Sequence, residues 1–133
     1  MGYRSDVAIG MKRKYYDELL EKAKNIFDEN LKKNALFLLE NSSGSGVGVT
    51  IHKKTCDNCE YIILSYTWVK WYDTYDAIEW LEENIPEQYA FIRIGEDYDD
   101  IEVRYKTGSK DTGIDYNIYD LISVSREINI DAD

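Results

Sequence analysis

The fold is constrained most by residues 61–72, Tyr-Ile-Ile-Leu-Ser-Tyr-Thr-Trp-Val-Lys-Trp-Tyr. Successive side chains of a strand point to opposite faces of its sheet, and here apolar or aromatic residues occupy both sets of alternate positions. A strand that is apolar on both faces belongs in the middle of a sheet. We therefore predict a central strand at this position, with its aromatic side chains mostly in the core, among them Tyr66, Trp68 and Trp71.

A hairpin partner precedes this strand. Residues 47–54 are predicted to pair with residues 60–72 around Cys56-Asp-Asn-Cys59. The Cys-x-x-Cys spacing occurs in zinc and redox sites, but structural zinc takes four ligands and His52 is the only histidine. Asp57 and Asn58 tolerate turn conformations, including positive φ. The pattern therefore predicts two thiols flanking a turn, with no metal and no cofactor.

The first strand and the first helix have the clearest periodicities. Residues 3–11 are predicted to form a strand with Val7, Ile9 and Met11 on one face. Its other face carries the small residues Ala8 and Gly10, where another part of the chain could pack closely. Residues 13–33 are predicted to form one helix, and residues 35–39 could continue it or form a strand. The apolar stripe of the helix contains Tyr16, Leu19, Leu20, Ala23, Ile26, Phe27 and Leu31.

A second helix and three further strands follow. The helix begins with Asp73 or Thr74 as its cap and ends at Pro86. Alternation predicts strands at 88–94 and 99–105, a turn at 107–113, and a last strand at 116–130. The inward positions of the helix are Ala77, Ile78, Leu81 and Ile85.

This order predicts one α+β domain, residues 1–133, with a β-α-β-β-α-β ferredoxin-like sheet. Both helices are expected on one face of a mainly antiparallel sheet, and a C-terminal β-hairpin is added to it. The opposite face is expected to stay open. Tyr89, Phe91 and Arg93 share one side of their strand, and on the open face they would form an aromatic and basic patch for a small ligand.

Negative charge is concentrated in the second half of the chain. The net charge is −10, with +2 in residues 1–72 and −12 in residues 73–133. Such a surface repels phosphate backbones and suits a partner with a basic surface, so direct binding of nucleic acid is not expected. The candidate partner-binding residues lie on the second helix and in the acidic turn, residues 96–102: Asp76, Glu79, Glu82, Glu83, Glu96, Asp97, Asp99, Asp100 and Glu102.

Several other classes of protein do not fit the sequence. No charged leader with an apolar segment opens the chain and no apolar run approaches twenty residues, so neither secretion nor membrane insertion is expected. The glycine-rich residues 41–48 lack the Lys-Ser/Thr of a phosphate-binding P-loop. Carboxylates 97–102 could hold Mg²⁺ or Ca²⁺, but an EF-hand counted from Asp97 lacks glycine at its sixth position. We expect neither a metal site nor an enzyme.

Three segments resemble a family of small, uncharacterised bacteriophage and prophage proteins. They are Gly2-Tyr-Arg-Ser-Asp-Val7, Trp68-Val-Lys-Trp-Tyr72 and Phe91-Ile-Arg-Ile-Gly-Glu-Asp-Tyr-Asp-Asp-Ile-Glu102, which occur in the same order in that family. The resemblance implies a phage origin and action in the cytoplasm of a bacterial host. It supplies no catalytic residues.

Two functions therefore follow as expectations. The first is a phage-encoded, non-enzymatic accessory protein that binds and inhibits a host protein through its acidic surface. The host protein could belong to a defence system or bind nucleic acid, because its basic groove would attract repeated negative charge. The alternative is a protein that binds a small ligand or a nucleotide signal by stacking it on the aromatic face of the sheet.

Overall fold

The structure is a computed structural model that describes residues 3–40, 49–56, 58–72, 75–85, 88–97, 99–107, 118–124 and 128–132. Its main element is a five-stranded antiparallel sheet in the order β2-β3-β1-β4-β5. The strands are β1 (Ser5–Lys12), β2 (Thr50–Cys56), β3 (Cys59–Val69), β4 (Gln88–Gly95) and β5 (Ile101–Thr107). The helices are α1 (Arg13–Lys24), α2 (Glu29–Leu39), α3 (Asp76–Asn84) and the short α4 (Ile118–Leu121). Strands β6 (Ile122–Val124) and β7 (Ile128–Ile130) form a separate two-stranded sheet.

The predicted α+β class with an antiparallel sheet is confirmed. The ferredoxin-like order is not matched exactly, because two helices rather than one connect β1 to β2 and because β5 extends the sheet beyond β4. The C-terminal hairpin was expected to form between the strand at 99–105 and the last strand. Instead β5 pairs with β4, and the chain after it forms the second sheet.

The single helix predicted at 13–33 is wrong, because the chain breaks at residues 25–28. Asn25 ends α1 by donating its side-chain amide to the carbonyl of Glu21. Asp28 then begins α2, since its carboxylate accepts the backbone N–H of Leu31 as an N-cap. Phe27 lies in this break and is fully exposed, although its spacing predicted a core position. The run at 35–39 is helical, as one of its two readings predicted.

The helices α1, α2 and α3 cover one face of the sheet, as predicted for its helical layer. The core there joins Val7, Ile9 and Met11 of β1 to Leu64 of β3 and Phe91 of β4. Helix residues complete the same cluster, namely Tyr16, Leu19, Ala23, Ala35, Leu39, Ile78 and Leu81. Burying these apolar side chains supplies most of the driving force for folding.

The opposite face of the sheet is not open, so this expectation was wrong. Ala8, Ile63 and Ile92 pack there against Ile118 and Leu121 of α4. Gly10 allows a close approach: a Cβ atom at this position would lie 2.9 Å from Cδ1 of Leu121. The strand predicted at 116–130 is also wrong, because residues 118–124 and 128–130 form α4, β6 and β7 and their apolar side chains pack onto the sheet.

The cysteine hairpin is confirmed. Cys56 of β2 lies opposite Cys59 of β3, and Asn58 has a φ of 63° in the turn. Trp71 and Tyr66 are buried as predicted, but Trp68 is 55% exposed, so its expected core position was wrong.

Four predictions fall outside the described residues: the loop at 41–48, the cap at Asp73 or Thr74, the helix end at Pro86 and the turn at 107–113, of which only Thr107 is described.

Among the helices that are described, none combines the length and apolarity that crossing a membrane requires.

Candidate functional site

The three segments of the phage resemblance meet at one end of the sheet. Ser5 of β1 lies opposite Val69 on one side and opposite Gly95 on the other. The segments around Tyr3, Trp68 and Asp97 are therefore brought together although they are far apart in the chain. Hydrogen bonds between them span 62 to 97 residues of sequence.

Tyr3 organises the acidic turn. Its hydroxyl donates to Asp100 at 2.5 Å and accepts the backbone N–H of Asp97 at 3.0 Å. The hydrogen bond to Asp100 raises the pKa of Tyr3, because the phenol O–H donates to a carboxylate and this contact favours the protonated phenol. Gly95 makes this contact possible, since a Cβ atom there would overlap both the Tyr3 hydroxyl and the Asp100 carboxylate.

Arg93 neutralises two carboxylates of the turn. Its guanidinium donates two hydrogen bonds to Asp100, at 2.8 and 3.1 Å, and one to Glu102 at 3.3 Å. It also donates to the hydroxyl of Ser5, and its side chain is only 18% exposed. The pKa of Asp100 is lowered, first by the hydrogen bond from Arg93 and then by that from Tyr3. The Asp100 hydrogen bond likewise raises the pKa of Arg93.

Arg104 of β5 fastens α3 to the sheet. It donates to both carboxylate oxygens of Glu82, at 2.9 and 3.0 Å, and its Nε lies 3.2 Å from Glu102. Its guanidinium also lies over the ring of Phe91, 4.0 Å from the ring centre, which is a cation–π contact. The position of the carboxylates on α3 relative to those of the turn is therefore set by a specific polar contact.

Between α3 and the β4–β5 edge lies a cleft of about 770 Å³, which we call the acidic cleft. Five carboxylates and two guanidinium groups line it, so its formal charge is negative. Tyr3, Trp71 and Tyr72 complete its aromatic part. The charged residues that line it are Glu79, Glu82, Glu83, Asp100, Glu102, Arg93 and Arg104.

The nine predicted partner-binding carboxylates divide into two groups. Asp100, Glu102 and Glu82 are paired with arginines, and Glu96 accepts the backbone N–H of Arg4 at 3.1 Å. These four hold the site together. The other five are exposed, and no ion pair to them is found within the described ranges: Asp76, Glu79, Glu83, Asp97 and Asp99. Whether they bind a partner stays a prediction.

The three predicted ligand-binding residues do not form an open patch. Tyr89 and Phe91 face the helices and are 9% and 1% exposed, which makes Phe91 one of the largest fully buried side chains. Arg93 shares that face but is engaged with Ser5, Asp100 and Glu102. Their predicted place on an uncovered sheet face was therefore wrong, because this face is the one that α1, α2 and α3 cover.

Trp68 is the residue of this site that the sequence did not reveal. Its φ of 57° lies in the left-handed region, which is costly for a bulky side chain. Asp6 accepts its backbone N–H at 2.8 Å, and Arg4 donates to its carbonyl at 3.2 Å. Both side chains therefore hold the backbone of an exposed tryptophan.

The strain at Trp68 predicts that glycine and alanine reverse their usual order of stability at this position. In an ordinary strand alanine is more stable than glycine, but only glycine adopts positive φ without cost. We expect Trp68→Gly to be more stable than Trp68→Ala by about 1 kcal/mol in chemical denaturation. The control is Thr67, the exposed preceding strand residue, which is not among the positive-φ positions. There the alanine variant should be the more stable of the two. If the alanine variant were the more stable of the two at both positions, the proposed strain at Trp68 would be contradicted.

Within the described ranges, no three His, Cys, Asp or Glu side chains are grouped as a metal site would require. The carboxylates at 97–102 are instead bonded to Tyr3 and Arg93 or point outward. Comparison of the chain with protein-family models, curated proteins and solved structures gives no match. The resemblance to the phage proteins therefore stays an expectation.

Proposed function

We propose that the protein is a non-enzymatic binding protein that docks on a basic surface of another protein through its acidic end. The observation that carries this proposal is how the polar side chains of residues 3–6 are used. Tyr3, Arg4, Ser5 and Asp6 all bond to the acidic turn, to Arg93 or to the backbone of Trp68. They support a surface of fixed shape rather than presenting free groups to a substrate.

An exposed tryptophan and nearby carboxylates support the proposal. Trp68 is 55% exposed, and tryptophan is among the residues most enriched at the energetic centres of interfaces. Exposed carboxylates, including Asp97 and Asp99, lie at the same end of the sheet. Negative charge around an aromatic anchor favours fast association with a basic partner and disfavours acidic ones.

The resemblance to phage proteins supplies the biological setting of the proposal. It would make the partner a host protein, either a defence component or a nucleic-acid-binding protein, in the bacterial cytoplasm. The acidic surface would inhibit such a protein by occupying the basic groove that otherwise attracts phosphates.

The strands β1 to β4 follow the order β2-β3-β1-β4, with α1, α2 and α3 on one face. We propose that a ferredoxin-like unit underlies this arrangement and that β5 and the C-terminal segment are additions to it.

The proposal is tested by reversing charge at the acidic turn. Asp97→Lys/Asp99→Lys is compared with Glu18→Lys/Glu21→Lys, which reverses two exposed carboxylates on α1. Binding is measured by biolayer interferometry against a panel of purified host nucleic-acid-binding proteins. For a true partner we expect the turn variant to bind at least about tenfold more weakly, the α1 variant to bind nearly as the unchanged protein does, and affinity to fall as salt is raised.

Two results would contradict the proposal. Equal weakening by both pairs of substitutions would mean that only net charge matters. Affinity that does not change with salt would mean that charge does not drive the association. A nucleic-acid competitor adds a further check, since it should displace the protein from the same groove of its partner.

A second candidate function is the binding of a small ligand, which a different cleft favours. The aromatic cleft, of about 480 Å³, lies between α2, the end of β3 and the start of α3. Its volume falls in the usual range for small-molecule sites, and Phe37, Tyr66, Trp71 and Tyr75 line it. A thermal-shift screen with mononucleotides and cyclic nucleotides tests this candidate. No stabilisation across the panel would remove it.

A further inference from the structure

Strand β5 is an edge of the five-stranded sheet with apolar side chains in water. Among the described strands it pairs with β4 alone. Ile101 and Val103 are 41% and 42% exposed. An exposed apolar edge strand is a template on which another strand can pair.

The hydrogen bonds of the β4–β5 pair show which residues turn their backbone outward. The N–H of Gly95 donates to the carbonyl of Asp100 at 2.8 Å, and Arg93 then lies opposite Glu102. Backbone groups in an antiparallel strand alternate in direction, so the even-numbered residues of β5 face β4. Val103 therefore directs its N–H and carbonyl toward the open edge.

The charges of β5 select one pairing with a second copy. When two antiparallel β5 strands are related by a two-fold axis perpendicular to the sheet, the axis passes between the two copies of one β5 residue, because directly opposite residues project from the same face. Centred on Glu102 or on Arg104, the pairing places two like charges directly opposite each other, which is destabilising. A pairing centred on Tyr105 places Arg104 opposite Lys106 of the second copy, which again sets two like charges against each other.

Only the pairing centred on Val103 is complementary throughout. Glu102 then faces Arg104 of the second copy, Asp100 faces its Lys106, and Ile101 faces its Tyr105. The two Val103 residues meet at the axis, where each can exchange backbone hydrogen bonds with the other. The exposed apolar side chains of Ile101 and Val103 would be covered by the same contact.

We propose that two copies of this chain pair through β5 in this register and form one continuous ten-stranded sheet. A two-fold axis perpendicular to the sheet keeps the helical layers of both copies on the same side. The two acidic clefts therefore open on one face of the dimer, and that face offers two negatively charged sites to a partner. Two linked sites raise the apparent affinity for an extended basic surface.

Cysteine cross-linking tests the register. Val103→Cys and Ile101→Cys are each made in a Cys56→Ser/Cys59→Ser background, and the two positions are equally exposed. In the proposed dimer the two copies of position 103 form a close pair, with Cα atoms about 5.5 Å apart, within reach of a disulfide. The two copies of position 101 are offset by four residues, roughly 13 Å along the strands. Mild oxidation should give at least tenfold more covalent dimer with Val103→Cys.

Equal cross-linking of both variants, or none in either, would overturn the proposal. Sedimentation of the unchanged protein gives an independent check, because the dimer should have twice the 15.6 kDa mass of the chain. A monomer at every concentration would also overturn it. None of these outcomes depends on the acidic surface, so dimerisation and partner binding can fail separately.

A charge-exchange pair tests the same register without cysteine. Glu102→Arg and Arg104→Glu each place like charges opposite each other in their own homodimer and should be monomeric. An equimolar mixture restores both complementary pairs and should form the heterodimer. Denaturation curves establish that each variant is folded, since both substitutions disturb the ion pairs with Arg93 and Glu82. A monomeric mixture of folded variants would overturn the proposal.

Discussion

Phe91→Ala is expected to lower the free energy of unfolding by about 3–5 kcal/mol, the largest effect of any substitution considered for this protein. Phe91 is 1% exposed, and its ring lies 6.3 Å from the ring of Trp71. Truncation removes this buried area, leaves a cavity between β4 and the helices, and takes away the face on which the Arg104 guanidinium rests.

Urea denaturation measures this loss, with the slope m expected to stay constant. Phe91→Leu should cost about 1–1.5 kcal/mol, because it retains most of the volume. The surface control is Ile51→Ala on β2, a residue that is 38% exposed and should cost less than about 1 kcal/mol. If Phe91→Ala were as mild as Ile51→Ala, Phe91 would be accessible and a stacking role in ligand binding would return.

Arg93→Ala is expected to have the next largest effect, about 2–4 kcal/mol. The substitution leaves Asp100 and Glu102 side by side, partly desolvated and without their shared cation. Solvation by water offsets part of this loss, because the side chains of Asp100 and Glu102 are 31% and 41% exposed. The Tyr3 hydroxyl still bonds to Asp100, so we expect the acidic turn to loosen rather than unfold separately.

Arg13→Ala is the matched control for Arg93. Arg13 also contacts a carboxylate closely, at 2.6 Å from Glu60, but its side chain is 45% exposed. Exposed ion pairs contribute little, so this variant should be nearly as stable as the unchanged protein. Arg93→Lys separates charge from geometry, because lysine keeps the charge but not the two parallel hydrogen bonds to Asp100. An intermediate stability for Arg93→Lys supports the bidentate contact, and equal losses for Arg13→Ala and Arg93→Ala would contradict it.

The contact between Arg93 and Asp100 also predicts how the free energy of unfolding depends on pH. The pKa of Asp100 is lowered in the folded protein, mainly by Arg93, so this carboxylate stabilises the fold above its unfolded pKa of about 3.9. That contribution is lost as the pH falls through the lower folded value. The stability difference between the unchanged protein and Arg93→Ala should therefore be constant near neutral pH and shrink below about pH 4. A difference that stays constant into strong acid would contradict the assignment.

The strands and most helical segments follow from local patterns. Alternation located β1, β3, β4 and β5 to within a few residues, because one strand face must be apolar to meet the core. The helix break at 25–28 escaped prediction because the apolar spacing continues across it. Asn25 and Asp28 are capping residues, but the same types also occur on exposed helix faces, so the periodicity outweighed them.

The covered face of the sheet was missed although its residues carried a signal. Ala8, Ile63, Ala90 and Ile92 are all small or apolar and would be unfavourable in water. Strand β3 is apolar on both faces, so both faces of the sheet must be covered there. The C-terminal segment provides this cover as α4, β6 and β7, but its alternating isoleucines were also consistent with one long strand.

The candidate site could be predicted only in its components. The nine carboxylates were identified from composition, but which of them are neutralised depends on Arg93 and Arg104, whose partners lie on other elements. The exposure of Trp68 had no sequence signal, since it accompanies a shift in the register of β1 and β3 between Ser5 and Val7.

The sequence alone determines the α+β class, the presence of the interior strand β3 and the concentration of acidic residues after residue 72, because these depend on the order of residue types along the chain. Tertiary structure alone decides that Tyr3, Arg4, Ser5 and Asp6 support Trp68 and the acidic turn, and that Phe91 lies in the core. These contacts join residues that are more than sixty positions apart. They form only when β1 lies between β3 and β4 in one particular register, and no local pattern encodes that register.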